Sequence, residues 1–163
     1  MTSRSSSSDR SPSLVGLIPA AGQGRRLGPL PCSKEVYPIA VSGAEPDDRR
    51  VKVASEYLLH SMHVAGVRSV FVVLRDGKWD IPAYWGDGHR AGLNIGYLMM
   101  GRPYGTPFTL DQAHPFLRDQ IVVMGFPDVL FEPADAFVHL LEKQRRTGAD
   151  VVLGLFPASH PEN

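Results

Sequence analysis

Between Gly16 and Lys34 the chain carries three cations, Arg25, Arg26 and Lys34, and no acidic side chain. Seventeen basic residues balance seventeen acidic ones over the whole chain, so this positive charge is local and not part of a global field that would draw in nucleic acid or an anionic membrane. The cations sit in glycine-rich text, Ala20-Ala21-Gly22-Gln23-Gly24 followed directly by Arg25-Arg26. Glycines admit positive φ and let backbone N–H groups approach an anion where a β-carbon would obstruct. A guanidinium grips phosphate oxygens with paired, charge-assisted hydrogen bonds, and an ammonium adds a point charge. The stretch 14–38 therefore predicts a phosphate-gripping loop that binds a nucleotide.

Three other readings of the loop fit its residues less well. A P-loop needs GxxxxGK followed by Ser or Thr, and no such string occurs. Gly22, Gly24 and Gly28 approximate a dinucleotide turn, but that turn requires a helix to start inside the glycines, and Pro29-Leu30-Pro31 opposes one. A glycine-rich surface loop with incidental arginines leaves Lys34 unexplained.

Other reactive types have plainer readings. Asp128 follows an apolar run, a place where aspartate is in general a turn or cap residue. Glu56, His60 and His63 share one side of a predicted helix opposite its apolar face, which reads as solvated surface and not as a metal site. Met99 and Met100 end a predicted strand and read as packing. Cys32, the single cysteine, excludes an internal disulfide framework and a multi-cysteine zinc site, and fits a reducing, cytoplasmic compartment.

The elements that must position these residues alternate. An apolar strand is expected at 14–18, then a long loop to Pro38 and a polar, turn-like stretch at 42–50. A helix with Ala54, Leu58, Met62 and Ala65 on one face ends at Gly66, and a β-branched strand follows at 69–74. The connection 75–92 reads as irregular, with a helical turn near 81–85. A strand at 94–100, a helix at 108–117, a strand at 120–124, a helix at 134–146 and a last apolar strand at 150–156 complete the series. Such alternation predicts an α/β fold, an open doubly wound, mainly parallel sheet with ligands at the carboxyl ends of its strands. The length suits one domain over 14–163, preceded by a serine- and arginine-rich tail at 1–13 that reads as disordered and lacks the apolar stretch of a signal or membrane anchor.

The loop also resembles, in order and spacing, the N-terminal motif of the sugar-phosphate nucleotidyltransferases, the family that includes glucose-1-phosphate thymidylyl- and uridylyltransferases. The matching residues are Ala20-Ala21-Gly22-Gln23-Gly24-Arg25-Arg26-Leu27, the Pro29-Leu30-Pro31 spacer, Ser33-Lys34-Glu35 and Pro38-Ile39. Weaker likenesses run through Trp85-Gly86-Asp87-Gly88, Gly92-Leu93-Asn94-Ile95-Gly96-Tyr97 and Gly105-Thr106 to Gly125-Phe126-Pro127-Asp128. The resemblance implies a Rossmann-like nucleotidyltransferase fold, truncated at its C-terminus. It also implies attack by a sugar 1-phosphate oxygen on the α-phosphorus of a nucleoside triphosphate, with release of pyrophosphate. By the same resemblance Arg26 holds the triphosphate, Lys34 bridges the approaching phosphates, and Asp128 holds a magnesium ion. Ala20, Ala21, Gly22, Gly24, Arg25 and Gly105 would contact the nucleotide. The implied partners are the triphosphate and the sugar 1-phosphate, with neither nucleic acid nor membrane, and self-association is left open.

Four departures qualify the match. Arg25 stands where the family has Thr or Ser. Met100-Gly101 replace a Gln-Pro pair whose amide reads the base, so no particular triphosphate is selected. Pro107-Phe108 replace small residues, and the chain stops before the family's sugar-binding strands, their Glu and Lys, and a second metal-binding aspartate. A nucleotide-binding module that performs no transfer is therefore the alternative reading.

Overall fold

A computed structural model describes residues 12–24, 28–43, 45–102 and 104–157. Apart from Pro12 and Ser13, the expected tail lies outside them. The first strand, β1 (Leu14–Pro19), runs through the middle of a four-stranded parallel sheet. A two-stranded antiparallel ribbon follows, β2 (Pro38–Ser42) and β3 (Arg50–Val53), with Val41 opposite Val51. Helix α1 (Ala54–Val64) then leads to β4 (Ser69–Arg75). Next come α2 (Asp80–Trp85), β5 (Asn94–Met100), α3 (Thr106–Asp111), α4 (His114–Leu117), β6 (Ile121–Met124) and α5 (Ala136–Thr147).

The sheet order is β5-β4-β1-β6. The chain steps outward from β1 to β4 and β5, then returns to the far side of β1, where Leu14–Leu17 pair in parallel with Ile121–Met124. That reversal is the topological switch point of a doubly wound sheet, and it lies between β1 and β6.

Strand alternation divides the apolar side chains between two cores. On one face Ile18, Val70, Val72, Leu74 and Val123 pack with Leu58, Leu59 and Met62 of α1 and with Phe137 and Leu141 of α5. On the other, Leu17, Val73 and Met100 pack with Ala113, and with the partly buried Phe71, Leu110 and Leu117. Helices therefore cover both faces, as the expected fold requires. Gly16 belongs to the α1 face, where a β-carbon would stand 2.9 Å from Val70 Cγ2 and 3.0 Å from Met62 Sδ.

Three expectations need correction. The run 150–156 forms no strand: its residues lack ladder partners, and Val151, Leu153, Leu155 and Phe156 are between 71% and 87% exposed. An apolar run records a capacity for burial, but a strand also needs a neighbour to pair with. The single helix expected at 108–117 is two short ones, because Pro115 in the first turn of α4 cannot continue α3. The β2–β3 ribbon has no counterpart among the expected elements. Pro38 occupies the first position of its strand, where a missing N–H is tolerated, and the polar 42–50 stretch is the connection between the two strands.

Candidate functional site

Parallel neighbours end at the same edge, so the loops after β1 and β6 leave the sheet side by side at the switch point. The ladder extends one residue past β1, with Ala20 N–H donating to Val73 C=O at 2.9 Å. Ala20 and Ala21 are each 1% exposed, one in each core. Their methyl groups are packing, so only backbone groups are left to meet a ligand. Gly22 and Gly24 follow, and a β-carbon at either position would meet nothing within 4 Å. Gly24 has φ +64°, in the left-handed region that favours glycine. Arg25 and Arg26 lie outside the described residues.

The chain then bends at Pro31 and Cys32 into a 3-10 turn over Lys34–Val36. No helix intervenes between Gly22 and that turn among the described residues, as the proline spacer predicted. On the β6 side the loop begins at Gly125, whose N–H donates to Leu17 C=O. A β-carbon on Gly125 would come 2.4 Å from Leu58 Cδ1, so the residue's bareness lets the end of β6 close onto α1. Three residues on, the Asp128 carboxylate accepts a hydrogen bond from Lys34 Nζ at 2.5 Å. The two side chains are 25% and 35% exposed. The fold thus brings together a cation and a carboxylate 94 residues apart in sequence. A half-exposed pair of this kind contributes no more than about 1 kcal/mol and exchanges partners readily.

Gly105 caps the N-terminus of α3 with φ +116°, and its carbonyl accepts from Thr109 N–H at 3.2 Å and Thr109 Oγ1 at 3.1 Å. Helix α3 packs against β1, and Met100 shares a core with Ala21. The Trp85-to-Gly88 segment lies elsewhere, ahead of β5 and so at the amino ends of the strands. There a β-carbon on Gly88 would strike Ile95 Cγ1 at 2.5 Å, and Tyr97 Oη donates to Gly86 C=O at 2.8 Å. Burial, with the charge of Asp87, pushes the Tyr97 phenol up to about 12, so it remains a donor in a structural turn.

On the histidine-bearing side of α1, Glu56 pairs with Arg50 at 2.9 Å, His60 is exposed and His63 Nδ1 lies 3.1 Å from Gly92 C=O. Met100 is buried while Met99 is 43% exposed. Among the described residues no group of three His, Cys, Asp or Glu side chains could hold a metal ion.

Behind Lys34 lies a buried polar cluster that no sequence motif marks. Glu35, 1% exposed, accepts from Lys78 Nζ at 2.5 Å, and Lys78 is itself 5% exposed. Asp80 accepts from Ser33 N–H at 2.5 Å and from Ser33 Oγ at 2.7 Å. Burial holds the Lys78 ammonium below the usual lysine range despite the bond and charge of Glu35. Burial pushes the Asp80 carboxyl up, but its bonds from Ser33 and from the backbone of Asp80 and Ile81 outweigh this and hold it below the usual carboxylate range. The one available signal was a lysine and an aspartate, Lys78 and Asp80, in a connection too irregular to place.

Known proteins resemble this chain over most of its length. No family model matches the chain. It is 29% identical over 141 residues to a glucose-1-phosphate thymidylyltransferase of Streptomyces antibioticus, a match that covers 86% of this chain and 37% of that protein. It is 28% identical over 132 residues to a low-salt glycan biosynthesis nucleotidyltransferase of Haloferax volcanii, covering 79% and 34%. The chain resembles the sugar-1-phosphate nucleotidyltransferases. Its fold is theirs as well. A crystal structure assigned as a glucose-1-phosphate thymidylyltransferase from Bacillus anthracis superposes with TM-score 0.66 at 18% identity, over 82% of this chain and 52% of that one. A UDP-glucose pyrophosphorylase complexed with UDP-glucose gives TM-score 0.66 at 15% identity, over 83% and 54%. The chain spans about a third of the length of its curated relatives and about half that of the solved structures.

Proposed function

We propose that this chain is the nucleotide-binding part of a sugar-1-phosphate nucleotidyltransferase, in which a sugar 1-phosphate oxygen attacks the α-phosphorus of a nucleoside triphosphate and pyrophosphate leaves. The observation that carries the reading is the meeting of Lys34 and Asp128 at the switch point, beside an open glycine loop, in a chain similar to enzymes of this class. Transfer of this kind depends on positioning and charge neutralisation more than on covalent chemistry at the protein. Backbone N–H groups of Gly22 and Gly24 receive phosphate oxygens, and Arg26 holds the triphosphate and the departing pyrophosphate. The Lys34 ammonium, weakly committed to Asp128, turns to the phosphates and offsets the repulsion between two anionic reactants.

That movement frees the Asp128 carboxylate. A lone, part-exposed carboxylate cannot cage a cation, but it suits magnesium, which takes one or two carboxylates and completes its shell with phosphate oxygens and water. When bound there, the ion neutralises phosphate charge. The reading places the reaction in the cytoplasm, in keeping with the unpaired Cys32, with small molecules and not nucleic acid as partners.

The test is pyrophosphate release by the 163-residue chain with a panel of triphosphates and sugar 1-phosphates, with and without magnesium, beside direct triphosphate titration. Release that needs a sugar 1-phosphate is the expected result. Triphosphate binding without release would leave a nucleotide-binding module, and no binding of any triphosphate would overturn the reading.

A further inference from the structure

Lys34 is held from both sides by contacts that its proposed role does not use. The preceding residue, Ser33, gives both its N–H and its hydroxyl to the two oxygens of Asp80, at 2.5 and 2.7 Å. The following residue, Glu35, is sealed in the interior against Lys78 at 2.5 Å. Both partners come from one short segment, the passage from β4 into α2. The 3-10 turn between them is further pinned by Ala54 N–H on Tyr37 C=O at 3.1 Å. A turn this short makes few internal hydrogen bonds and does not hold its own shape. The side chain between two such anchors leaves the turn in one direction, and that direction leads to Asp128.

Glu35 Oε2 is buried with no hydrogen-bond partner. That exposes a cost: burying a carboxylate and an ammonium together is in general no more stable than burying apolar groups of the same volume. The pair, then, fixes position more than it adds stability.

We propose that Asp80 and Lys78 are positioning residues that clamp the chain on either side of Lys34 and so aim its ammonium at the anion site. This rests on the nucleotide reading above, and its test separates the two. Hydrogen exchange of the amides over 33–37 reports the clamp with no ligand present. Triphosphate affinity, measured with UTP, dTTP, ATP, CTP and GTP, reports its consequence for the site.

Asp80→Asn is expected to speed exchange over 33–37 and to weaken the tightest-bound triphosphate by about tenfold, a typical coupling between contacting residues. In a Lys34→Ala background the same substitution is expected to cost no further affinity, because its effect passes through the lysine. Ser33→Ala should reproduce Asp80→Asn, and Ser33→Thr, which keeps the hydroxyl, should restore affinity. Lys78→Met should behave alike if it folds, and the Ser33 and Asp80 variants decide the matter if it does not. Unchanged exchange over 33–37 in Asp80→Asn, or an equal affinity loss with and without Lys34, would overturn the proposal. A wild-type chain that bound no triphosphate would refute the nucleotide reading, and the exchange measurement would then judge the clamp alone.

Discussion

Lys34 and Asp128 differ in how far sequence could take them. Lys34 stands out by its company, a cation in acid-free, glycine-rich text, and in the structure it opens the 3-10 turn that follows that loop. Asp128 was found only through resemblance, because an aspartate after an apolar strand has a commoner explanation in turn chemistry. Neither type nor spacing showed that the two touch across 94 residues. At this scale we predict that Arg26→Ala and Lys34→Ala each lower turnover by at least about a hundredfold, as expected for one charge-stabilising contact. Steady-state pyrophosphate release checks this, and wild-type rates in both variants would refute the assignment. Cys32 invites a chemical check as well. Burial, and then the charges of Asp80 and Glu35, push its thiol up, so alkylation at neutral pH should be slower than for a free cysteine and should accelerate in Asp80→Asn.

The regular elements followed from pattern where pattern alone determines them. β1, α1, β4, β5 and β6 stand within a residue or so of expectation, since a buried parallel strand and an amphipathic helix each write a period into the chain. The ribbon, the broken α3–α4 pair and the unpaired 150–156 run did not follow, because each depends on a partner or on one proline. The Glu35–Lys78 pair belongs here too, since it ties a turn to the segment that opens α2. Lys78→Met alone should cost roughly 3–5 kcal/mol by stranding a buried carboxylate, whereas Glu35→Leu with Lys78→Met should be neutral or stabilising. Denaturant titration of the two variants decides between these.

The Asp80–Ser33 clamp carries a pH signature whose sign is fixed. A carboxyl held below its ordinary value contributes stability that is complete above the unfolded value, near 3.9 for aspartate. That contribution is lost as pH falls through the lower, folded value. Amides over 33–37 should therefore stay protected at pH 5 and open only below about pH 4, earlier than global unfolding as followed by circular dichroism.

At the scale of the molecule, the sheet has an edge strand on each side, β5 and β6. Among the described residues β6 pairs only with β1, Val122 and Met124 are 40% and 39% exposed, and the apolar 151–156 run pairs with no strand. An exposed apolar edge is a template for pairing with other chains. Sedimentation velocity of the 163-residue chain should show concentration-dependent association, reduced by Leu155→Lys with Phe156→Lys. A monomer at all concentrations would show that this surface is inert. No helix among the described residues is long and apolar enough to cross a membrane.

The central place of β1 also sets a timetable. Its first neighbour, β4, follows within a few dozen residues, but its second, β6, is encoded about a hundred residues later. During synthesis at about 5–20 residues per second, Lys34 waits roughly 5–20 s for Asp128 to emerge. For that interval the nascent chain displays one raw edge of its innermost strand, beside a cationic loop whose counter-charge has not yet been made.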